Sequence, residues 1–198
     1  GSYTVWWHGN PALCEGAAPC NSGPVSAAVP LRADGVLDVD VPSVRVRGAL
    51  TLEGAPLADA ALLFGLGDDW LRVEADGRYD ARLLPGTYTI GWPAETCAPA
   101  PCTPGPLRAA VPLRADGVLD VDVPSVRIRG RLTVDGQPAE AGSVRFRLSE
   151  GGAAEAPPGA DGAYETHLLP GCYDLRYTAP PCDPEDRHPC VDHDWPED

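Results

Sequence analysis

Residues 27–45 and residues 109–127 have the same nineteen-letter sequence, AAVPLRADGVLDVDVPSVR, at an offset of 82 positions (109 − 27 = 82). The similarity continues beyond this stretch, because LLPGTYTI at 83–90 recurs as LLPGCYDL at 168–175. A third match to the end of that string, YTVWW at residues 3–7, opens the chain. Internal similarity at a fixed period is typical of proteins that stack copies of one structural unit. The chain is therefore predicted to be a tandem array.

The apolar residues inside each copy alternate with polar ones, which is the periodicity of a half-buried strand. In VRVRGALTL at 44–52 the valines and leucines share one face and the arginines the other, and VRIRGRLTV at 126–134 keeps that register. Asp-Gly pairs follow Ala33, Ala75, Ala115 and Ala160, and such pairs supply the positive φ of hairpin turns. Short strands at regular intervals without an amphipathic helix predict an all-β fold, an antiparallel sandwich or barrel.

Three strings resemble the carboxypeptidase-regulatory-like, or prealbumin-like, domains. VRGALTLEGAPL at 46–57 is similar to the opening of that family, with a Gly in the strand, a Gly turn and a Pro before the second strand. ADGRY at 75–79 and LLPGTY at 83–88 resemble its two later signatures, and residues 111–123 resemble its closing hairpin, with an Asp-Gly turn between two short strands. The resemblance implies tandem antiparallel Greek-key β-sandwich repeats of large secreted or surface-anchored bacterial proteins. The Lys–Asn cross-link of some relatives is excluded, because the chain has no Lys.

The repeat predicts three segments with boundaries at the two Pro-Ser pairs. The N-terminal segment (1–42) would be the back half of a preceding repeat, the central segment (43–124) a complete sandwich, and the C-terminal segment (125–198) a second repeat without its closing hairpin. Alternatively, the unit is permuted and residues 1–42 begin the first domain. The sequence leaves both interpretations open.

The seven cysteines point to an oxidising compartment, because the chain has no enzyme-like motif that would use them. Six of them form three local pairs, each after a copy of the Tyr-containing string: Cys14 with Cys20, Cys97 with Cys102, and Cys182 with Cys190. Their spacings do not fit zinc knuckles, so disulfides are predicted. Cys172 is the odd residue, and it would be a free surface thiol, an intermolecular link or a competitor for the third pair.

Two groups of residues could suggest metal sites. Asp38 and Asp40 alternate ahead of Arg45 and Arg47, but calcium needs six or more converging oxygens, so a solvated face with opposite charges close together is favoured. The tail brings together His188, Cys190, Asp192, His193 and Asp194. An exposed terminus with Cys190 bonded to Cys182 is favoured there, and no metal or other cofactor is predicted.

The aromatic rows divide between the two faces of the predicted strands. Residues 88, 90 and 92 form an inward row, matched by residues 3, 5 and 7 and by residues 173, 175 and 177. Trp6 and Trp70 fall on outward rows. Exposed Trp can stack on sugars, but the counterparts of Trp6 are Gly91 and Arg176, so no sugar platform recurs from copy to copy. Packing between domains is the favoured use of these side chains.

These patterns predict a non-catalytic structural, spacer or adhesion repeat of an extracellular or cell-surface bacterial protein. The copies share apolar rows and turns rather than a set of catalytic residues, so no enzyme is expected. A carbohydrate-binding or other surface-ligand-binding module is the alternative. The net charge of −14 argues against nucleic acid and anionic membranes as partners, and no apolar run is long enough to span a membrane. The expected partners are neighbouring repeats, including head-to-tail docking of residues 25–41 onto segment 125–198.

The first prediction concerns the cysteines. Peptide mapping of the non-reduced, alkylated protein should recover the pairs Cys14–Cys20, Cys97–Cys102 and Cys182–Cys190, with the alkyl group on Cys172. The reason is that each pair closes a short loop at the same place in its copy. A bond between cysteines of different copies would contradict it.

Overall fold

The computed structural model describes residues 1–10, 18–95, 97–139 and 141–179. The regular elements in these ranges are all β-strands, so the predicted all-β fold is confirmed, while the Greek-key arrangement of the copies stays a prediction. The N-terminal segment contains β1 (Ser2–Trp7) and β2 (Gly23–Pro30). The central segment contains β3 (Val44–Leu52), β4 (Ala55–Pro56), β5 (Ala60–Leu66), β6 (Asp69–Ala75), β7 (Arg78–Leu83), β8 (Gly86–Trp92), β9 (Gly105–Leu113), β10 (Gly117–Val118) and β11 (Val121–Val123). The C-terminal segment contains β12 (Val126–Arg131), β13 (Thr133–Val134), β14 (Gln137–Pro138), β15 (Ser143–Leu148), β16 (Ala153–Ala156), β17 (Ala163–Leu168) and β18 (Tyr173–Thr178).

The central segment forms two sheets. One is antiparallel, with the strand order β6-β5-β8-β9. The other is built around β3, which pairs antiparallel with β7 on one edge and in parallel with β10 and β11 on the opposite edge. The alternating rows of the sequence meet between these sheets, where Phe64 contacts Tyr79 and Tyr88 at ring-centroid distances of 5.8 and 6.3 Å. Tilted and edge-on ring packing of this kind stabilises a core beyond simple area burial.

The closing segment, defined here as residues 116–123, completes that core by lying along β3. Val121 and Val123 are 1% and 0% exposed. The backbone N–H of Leu119 donates to the carbonyl of Arg47 at 2.8 Å. Gly48 is required at this point, because a Cβ there would lie 1.9 Å from the Leu119 carbonyl oxygen. The Tyr79 hydroxyl donates to the same carbonyl.

The closing hairpin expected over residues 111–123 is wrong in its pairing. β9 pairs with β8 in the first sheet, whereas β10 and β11 pair with β3 in the second. Asp116-Gly117 therefore carries the chain from one sheet to the other. Gly77 and Gly162 have the positive φ expected of the Asp-Gly hairpin turns, at 67° and 74°, but Gly117 has no such φ. The sandwich is accordingly antiparallel except along this edge of β3.

The C-terminal segment repeats part of this architecture. β12 pairs with β17, and β15 lies between β16 and β18. A smaller core surrounds Phe146, which packs on Tyr164 and Tyr173 at 6.0 and 6.3 Å, the positions that correspond to Tyr79 and Tyr88 (164 − 79 = 85). Among the described residues β12 has no parallel partner, and Val126 is 38% exposed where its counterpart Val44 is 4% exposed.

The N-terminal segment forms one antiparallel pair, β1 with β2. The twin segment, defined here as residues 34–41, has the sequence of the closing segment but contains no strand. Val39 is 42% exposed, although its counterpart Val121 is buried. The inward rows predicted for β1 and β18 are only partly inward, because Tyr3, Leu175 and Tyr177 are 53, 63 and 51% exposed, whereas Tyr88, Ile90 and Trp92 of β8 are buried.

No helix in the described ranges has the length and apolar character needed to cross a membrane.

The second prediction compares two identical residues in different surroundings. Val121→Ala should lower the free energy of unfolding of the protein by about 2 kcal/mol, because it removes two methyl groups from a closed core. Val39→Ala should change it by less than about 0.5 kcal/mol, since a half-exposed side chain leaves no cavity. Urea unfolding monitored by circular dichroism measures both. Equal losses for the two variants would show that the twin segment is packed in solution as the closing segment is.

Candidate functional site: the junctions between segments

A tyrosine corner begins each junction. In the Leu-Leu-Pro-Gly-Thr-Tyr string the Tyr88 hydroxyl donates to the carbonyl of Leu84 at 2.6 Å, and in the second copy Tyr173 donates to Leu169 at the same distance. Pro85 presets the φ of the turn, which brings the strand that follows back beneath the preceding carbonyl. Corners of this kind recur where strands of β-sandwiches change sheet. Each corner offers a hydroxyl oxygen that can accept a further hydrogen bond.

The first junction is made by residues that end the N-terminal cysteine loop. Asn21 Nδ2 donates to the Tyr88 hydroxyl at 2.9 Å, and Asn21 Oδ1 accepts from the backbone N–H of Leu84 at 2.8 Å. The backbone N–H of Cys20 donates to the carbonyl of Arg82 at 2.9 Å. Asn21 is 5% exposed. Among the described residues its buried amide finds hydrogen-bond partners only at the corner of the following segment, so this contact is costly to break.

The second junction uses the same contacts one copy later. The backbone N–H of Cys102 donates to the carbonyl of His167 at 2.7 Å, as Cys20 does to Arg82. Thr103 Oγ1 lies 3.2 Å from the Tyr173 hydroxyl, in the place of Asn21. Thr103 is 0% exposed. The bond from the cysteine N–H is therefore the same in both junctions, although the side chain that meets the tyrosine hydroxyl has changed from an amide to a hydroxyl.

Close approach of the backbone completes both junctions. A Cβ at Gly23 would lie 2.9 Å from Leu84 Cδ1, and a Cβ at Gly105 would lie 3.0 and 3.1 Å from side-chain atoms of Leu148 and Leu169. These glycines begin β2 and β9. Their lack of a side chain lets each strand start against the leucines of the next segment.

A tryptophan N–H is bonded to the end of each of the first two cysteine loops. Trp7 Nε1 donates to the Pro19 carbonyl at 3.0 Å, and Trp92 Nε1 donates to the Pro101 carbonyl at 2.9 Å. Each acceptor immediately precedes the second cysteine of its loop. Since Trp92 is 1% exposed, its N–H needs this partner. These bonds hold the last residues of each loop, from which the chain reaches the next corner.

The structure places the predicted cysteines as follows. Cys97 and Cys102 form a disulfide with a Cα–Cα distance of 4.7 Å, which fits an oxidising compartment. Cys20 is also disulfide-bonded. Its predicted partner Cys14 lies outside the described residues, as do Cys182 and Cys190. Cys172 is an exposed free thiol.

The Pro-Ser joint before the C-terminal segment also contacts both sides. Ser125 Oγ donates to the Pro99 carbonyl at 3.2 Å and lies 3.3 Å from His167 Nδ1. It therefore links the cysteine loop of the central segment to β17. Only Pro124 and Ser125 separate β11 from β12, which leaves the chain little freedom at this point.

A groove of about 520 Å³ lies beside the second junction. Trp70 borders it, 54% exposed, and a Cβ at Gly65 beneath it would lie 2.9 Å from the indole ring. The remaining lining comes from β5, β8, Pro104–Pro106, Glu150 and Gly152. In the second copy the residue opposite Arg147 is Ala153, as Trp70 is opposite Gly65, so this aromatic surface is present in one copy only.

The aspartates singled out in the sequence differ from their counterparts one copy later. Asp38 and Asp40 lie on the twin segment, outside any strand. Their counterparts accept hydrogen bonds: Asp120 from the backbone N–H of Ala49 at 2.8 Å, and Asp122 from Thr51 Oγ1 at 2.6 Å and from the Gly54 N–H at 2.9 Å. These bonds lower the pKa of Asp122, the one from Thr51 most. Asp38 and Asp40 are themselves exposed, as predicted for a solvated face, and no ion pair joins them to Arg45 or Arg47 of β3 among the described residues.

The arginines of that strand pair with β7 instead. Arg45 Nε donates to Asp80 Oδ1 at 2.9 Å, and in the second copy Arg127 Nε donates to Glu165 Oε1 at 2.6 Å. The hydrogen bond from the arginine lowers the pKa of the carboxyl in both pairs. The pairs are solvent-exposed, so they contribute little to stability and mainly favour one cross-strand register.

No group of three or more His, Cys, Asp or Glu side chains able to hold a metal ion occurs in the part of the chain that the structure describes. The candidate ligands His188, Cys190, Asp192, His193 and Asp194 lie outside it.

No family model matches the sequence, and no curated protein matches it either. Among solved structures, a chain titled "The Bacillus anthracis TIE protein" aligns at 11% identity and a TM-score of 0.27, over 69% of this chain and 28% of that chain. The likeness is too low to carry an argument about fold or function.

The third prediction tests the corner. Tyr88→Phe should lower the free energy of unfolding at neutral pH by roughly 1–3 kcal/mol, because Asn21 and the Leu84 carbonyl lose a buried partner. Tyr173→Phe should cost less, since Tyr173 is only partly buried. Urea unfolding curves of the two variants give the comparison.

The same variant has a pH signature. Burial raises the pKa of Tyr88 from 10.0 to about 12, against a smaller lowering by the Asn21 hydrogen bond. Its contribution to stability is therefore complete below pH 10 and is lost as the pH rises from 10 towards 12. Tyr88→Phe should lose less stability over that interval than the natural sequence, and an unchanged alkaline slope would contradict the assignment.

Proposed function

We propose that the chain is a non-catalytic structural element in which successive β-sandwich units are joined stiffly, and that it acts as a spacer or adhesion element of an extracellular or cell-surface protein. The observation that carries the proposal is the repetition of one junction. At both places the residue after a cysteine loop bonds to a tyrosine corner, and the cysteine N–H bonds to the strand before that corner. A contact that recurs with each copy serves to connect copies.

The chemistry of the joints supports a stiff connection. Each joint between segments has only a Pro and a Ser between the closing sequence and the next first strand. Ser125 adds contacts to Pro99 and His167. A Gly- or Ser-rich tether would instead act as a flexible coil. Stiff joints let an array hold its ends at a defined separation, which is what a spacer requires.

The proposed location follows from the cysteines. The Cys97–Cys102 disulfide closes a surface loop beside a junction, and disulfides of this kind persist in oxidising compartments. We propose that the protein is secreted or displayed at a bacterial cell surface, which is one such oxidising environment. The acidic charge is compatible with a solvent-facing surface that does not bind nucleic acid.

A carbohydrate-binding role is the second candidate, and the groove beside Trp70 is the observation that favours it. An exposed indole packed over Gly65 of β5 and a carboxylate, Glu150, both line the groove. They are the two components of sugar recognition, a stacking surface and a polar group. Saturable binding on a glycan array that is abolished by Trp70→Ala, with Trp6→Ala as the matched exposed control, would favour this role over the spacer. Absence of binding would leave the spacer as the better account.

The fourth prediction tests stiffness. Small-angle X-ray scattering of the protein should fit one arrangement of the central and C-terminal segments. Insertion of Gly-Ser-Gly-Ser between Pro124 and Ser125 should broaden the distribution of arrangements, because it separates the closing segment from β12. The same insertion after Gly67, in the turn between β5 and β6, is the control and should leave the fit unchanged. A broad distribution for the natural sequence would contradict a stiff spacer.

A further inference from the structure

Among the described residues, one edge of β12 has no strand beside it, whereas the corresponding edge of β3 is covered. In the described part of the chain β12 pairs only with β17, whereas β3 pairs with β7 and also with β10 and β11. The difference shows in side-chain exposure: Val126 is 38% exposed against 4% for Val44. Unpaired strand edges of this kind accept additional strands.

The chain also contains a segment of the required sequence that is not paired with any strand among the described residues. The twin segment (34–41) is identical to the closing segment that covers β3, yet it forms no strand in the structure. Val36 is 90% exposed and Val39 42% exposed. Among the described residues, β12 is therefore an acceptor edge without a donor, and the twin segment is a donor without an acceptor.

We propose that the twin segment of one copy of this chain docks on the free edge of β12 in a second copy, in parallel, so that copies associate head to tail. The central segment supplies the register. Val121 lies opposite Leu50 and Val123 opposite Leu52, so the 82-residue offset places Val39 opposite Leu132 and Val41 opposite Val134. This inference goes beyond the spacer role and does not depend on it.

The polar groups of the two partners match position by position. Asp122 accepts from Thr51 Oγ1, and the offset places Asp40 beside the Thr133 hydroxyl. Asp120 accepts from the Ala49 N–H, and the offset places Asp38 beside the N–H of Arg131. The closing segment owes its hold on β3 to these carboxylate bonds as well as to its valines. The twin segment carries the same carboxylates, and no partner for them is found among the described residues.

Tyr164 marks the docking position on the acceptor. In the central segment its counterpart Tyr79 donates to the Leu119 carbonyl, which lies over Gly48. Among the described residues of the C-terminal segment no carbonyl takes this place, and the Tyr164 hydroxyl lies 2.4 Å from where a Cβ of Gly130 would be. Its hydroxyl has no hydrogen-bond partner in the described part of the chain. Docking would move the ring outward and give it the Leu37 carbonyl as acceptor.

When two copies dock in this way, two strands compete for the same position beside β2 of the donor. β1 of the donor and β18 of the acceptor both correspond to β8, and both would pair with β2. We expect β18 to displace β1, because Tyr173 is held by its corner bond to Leu169 whereas Tyr3 is 53% exposed. Association of whole chains is then a strand exchange, slower than binding of an isolated donor peptide.

The first experiment uses a fluorescent peptide of residues 31–42 and the intact protein. We expect saturable binding to the protein, measured by anisotropy. Val39→Asp in the peptide should weaken binding more than about tenfold, because the position becomes buried, as Val121 is. Val36→Asp is the matched control and should bind like the parent, since its counterpart Val118 stays 74% exposed after docking.

Acceptor variants test the position of the peptide. Thr133→Val and Tyr164→Phe should each weaken binding by roughly three- to tenfold, the effect of one lost hydrogen bond. Neither side chain has a hydrogen-bond partner in the free structure among the described residues, so the unfolding midpoint of the protein should stay unchanged. If neither variant changed the affinity for the peptide, the peptide would bind at another position and the proposal would be overturned.

The second experiment measures mass by sedimentation velocity over a concentration series. It uses a Cys172→Thr background, so that a disulfide between copies cannot contribute. We expect the mass to rise with concentration, Val39→Asp to abolish the rise and Val36→Asp to leave it unchanged. A monomer at all concentrations would overturn docking by a second copy. If Val39→Asp then lowered the unfolding midpoint, the donor would act within its own chain.

Discussion

Parallel pairing of the closing segment with β3 is the interaction on which the central sandwich depends. It buries Val121 and Val123 against the facing sheet, and it satisfies backbone groups along an edge of β3 that would otherwise be open to solvent. The same segment leads directly into β12 through Pro124 and Ser125. The position of β11 therefore determines both the closure of the central core and the place where β12 begins. A displacement of β11 would open the core behind it and move the strand ahead of it.

The aspartates in this segment show why composition alone misleads about polar residues. Alternating Asp and Val looks like a strand with one wet and one dry face, and it is one. The aspartates nevertheless do not serve as surface charges that balance arginines. Asp120 and Asp122 accept from the Ala49 N–H and the Thr51 hydroxyl of β3 and from the Gly54 N–H in the turn that follows it. They therefore add hydrogen bonds to a parallel pairing that covers few residues. Charge-assisted bonds of this kind are stronger than neutral ones.

Much of the fold could be predicted from periodicity. Apolar alternation identified the rows of β3, β5, β7 and β8, and the Asp-Gly pair at Gly77 predicted a turn with the observed positive φ. The junctions could not be predicted in this way. Asn21 meets Tyr88 across 67 positions of the chain, and the residue in its place in the second junction is Thr103. A search for identical polar residues in each copy passes over a contact that keeps its geometry while changing its side chain. The tyrosine, repeated after Leu-Leu-Pro-Gly, was the available signal.

Identical residues with different exposure show how far local sequence determines a strand and how far a neighbouring strand does. Val39 and Val121 lie in the same nineteen-residue sequence, and one is 42% exposed where the other is 1% exposed. Residues 117–118 and 121–123 are strands, and the same letters at 35–36 and 39–41 are not. Local propensity is equal in the two places, so the difference comes from β3, which lies alongside only one of them. Because this segment becomes a strand only beside its partner, its sequence has to pair with the first strand of its own unit and also lead into the first strand of the next unit. These two demands together account for a nineteen-residue identity that runs across the Pro-Ser joint while the strands on either side have diverged.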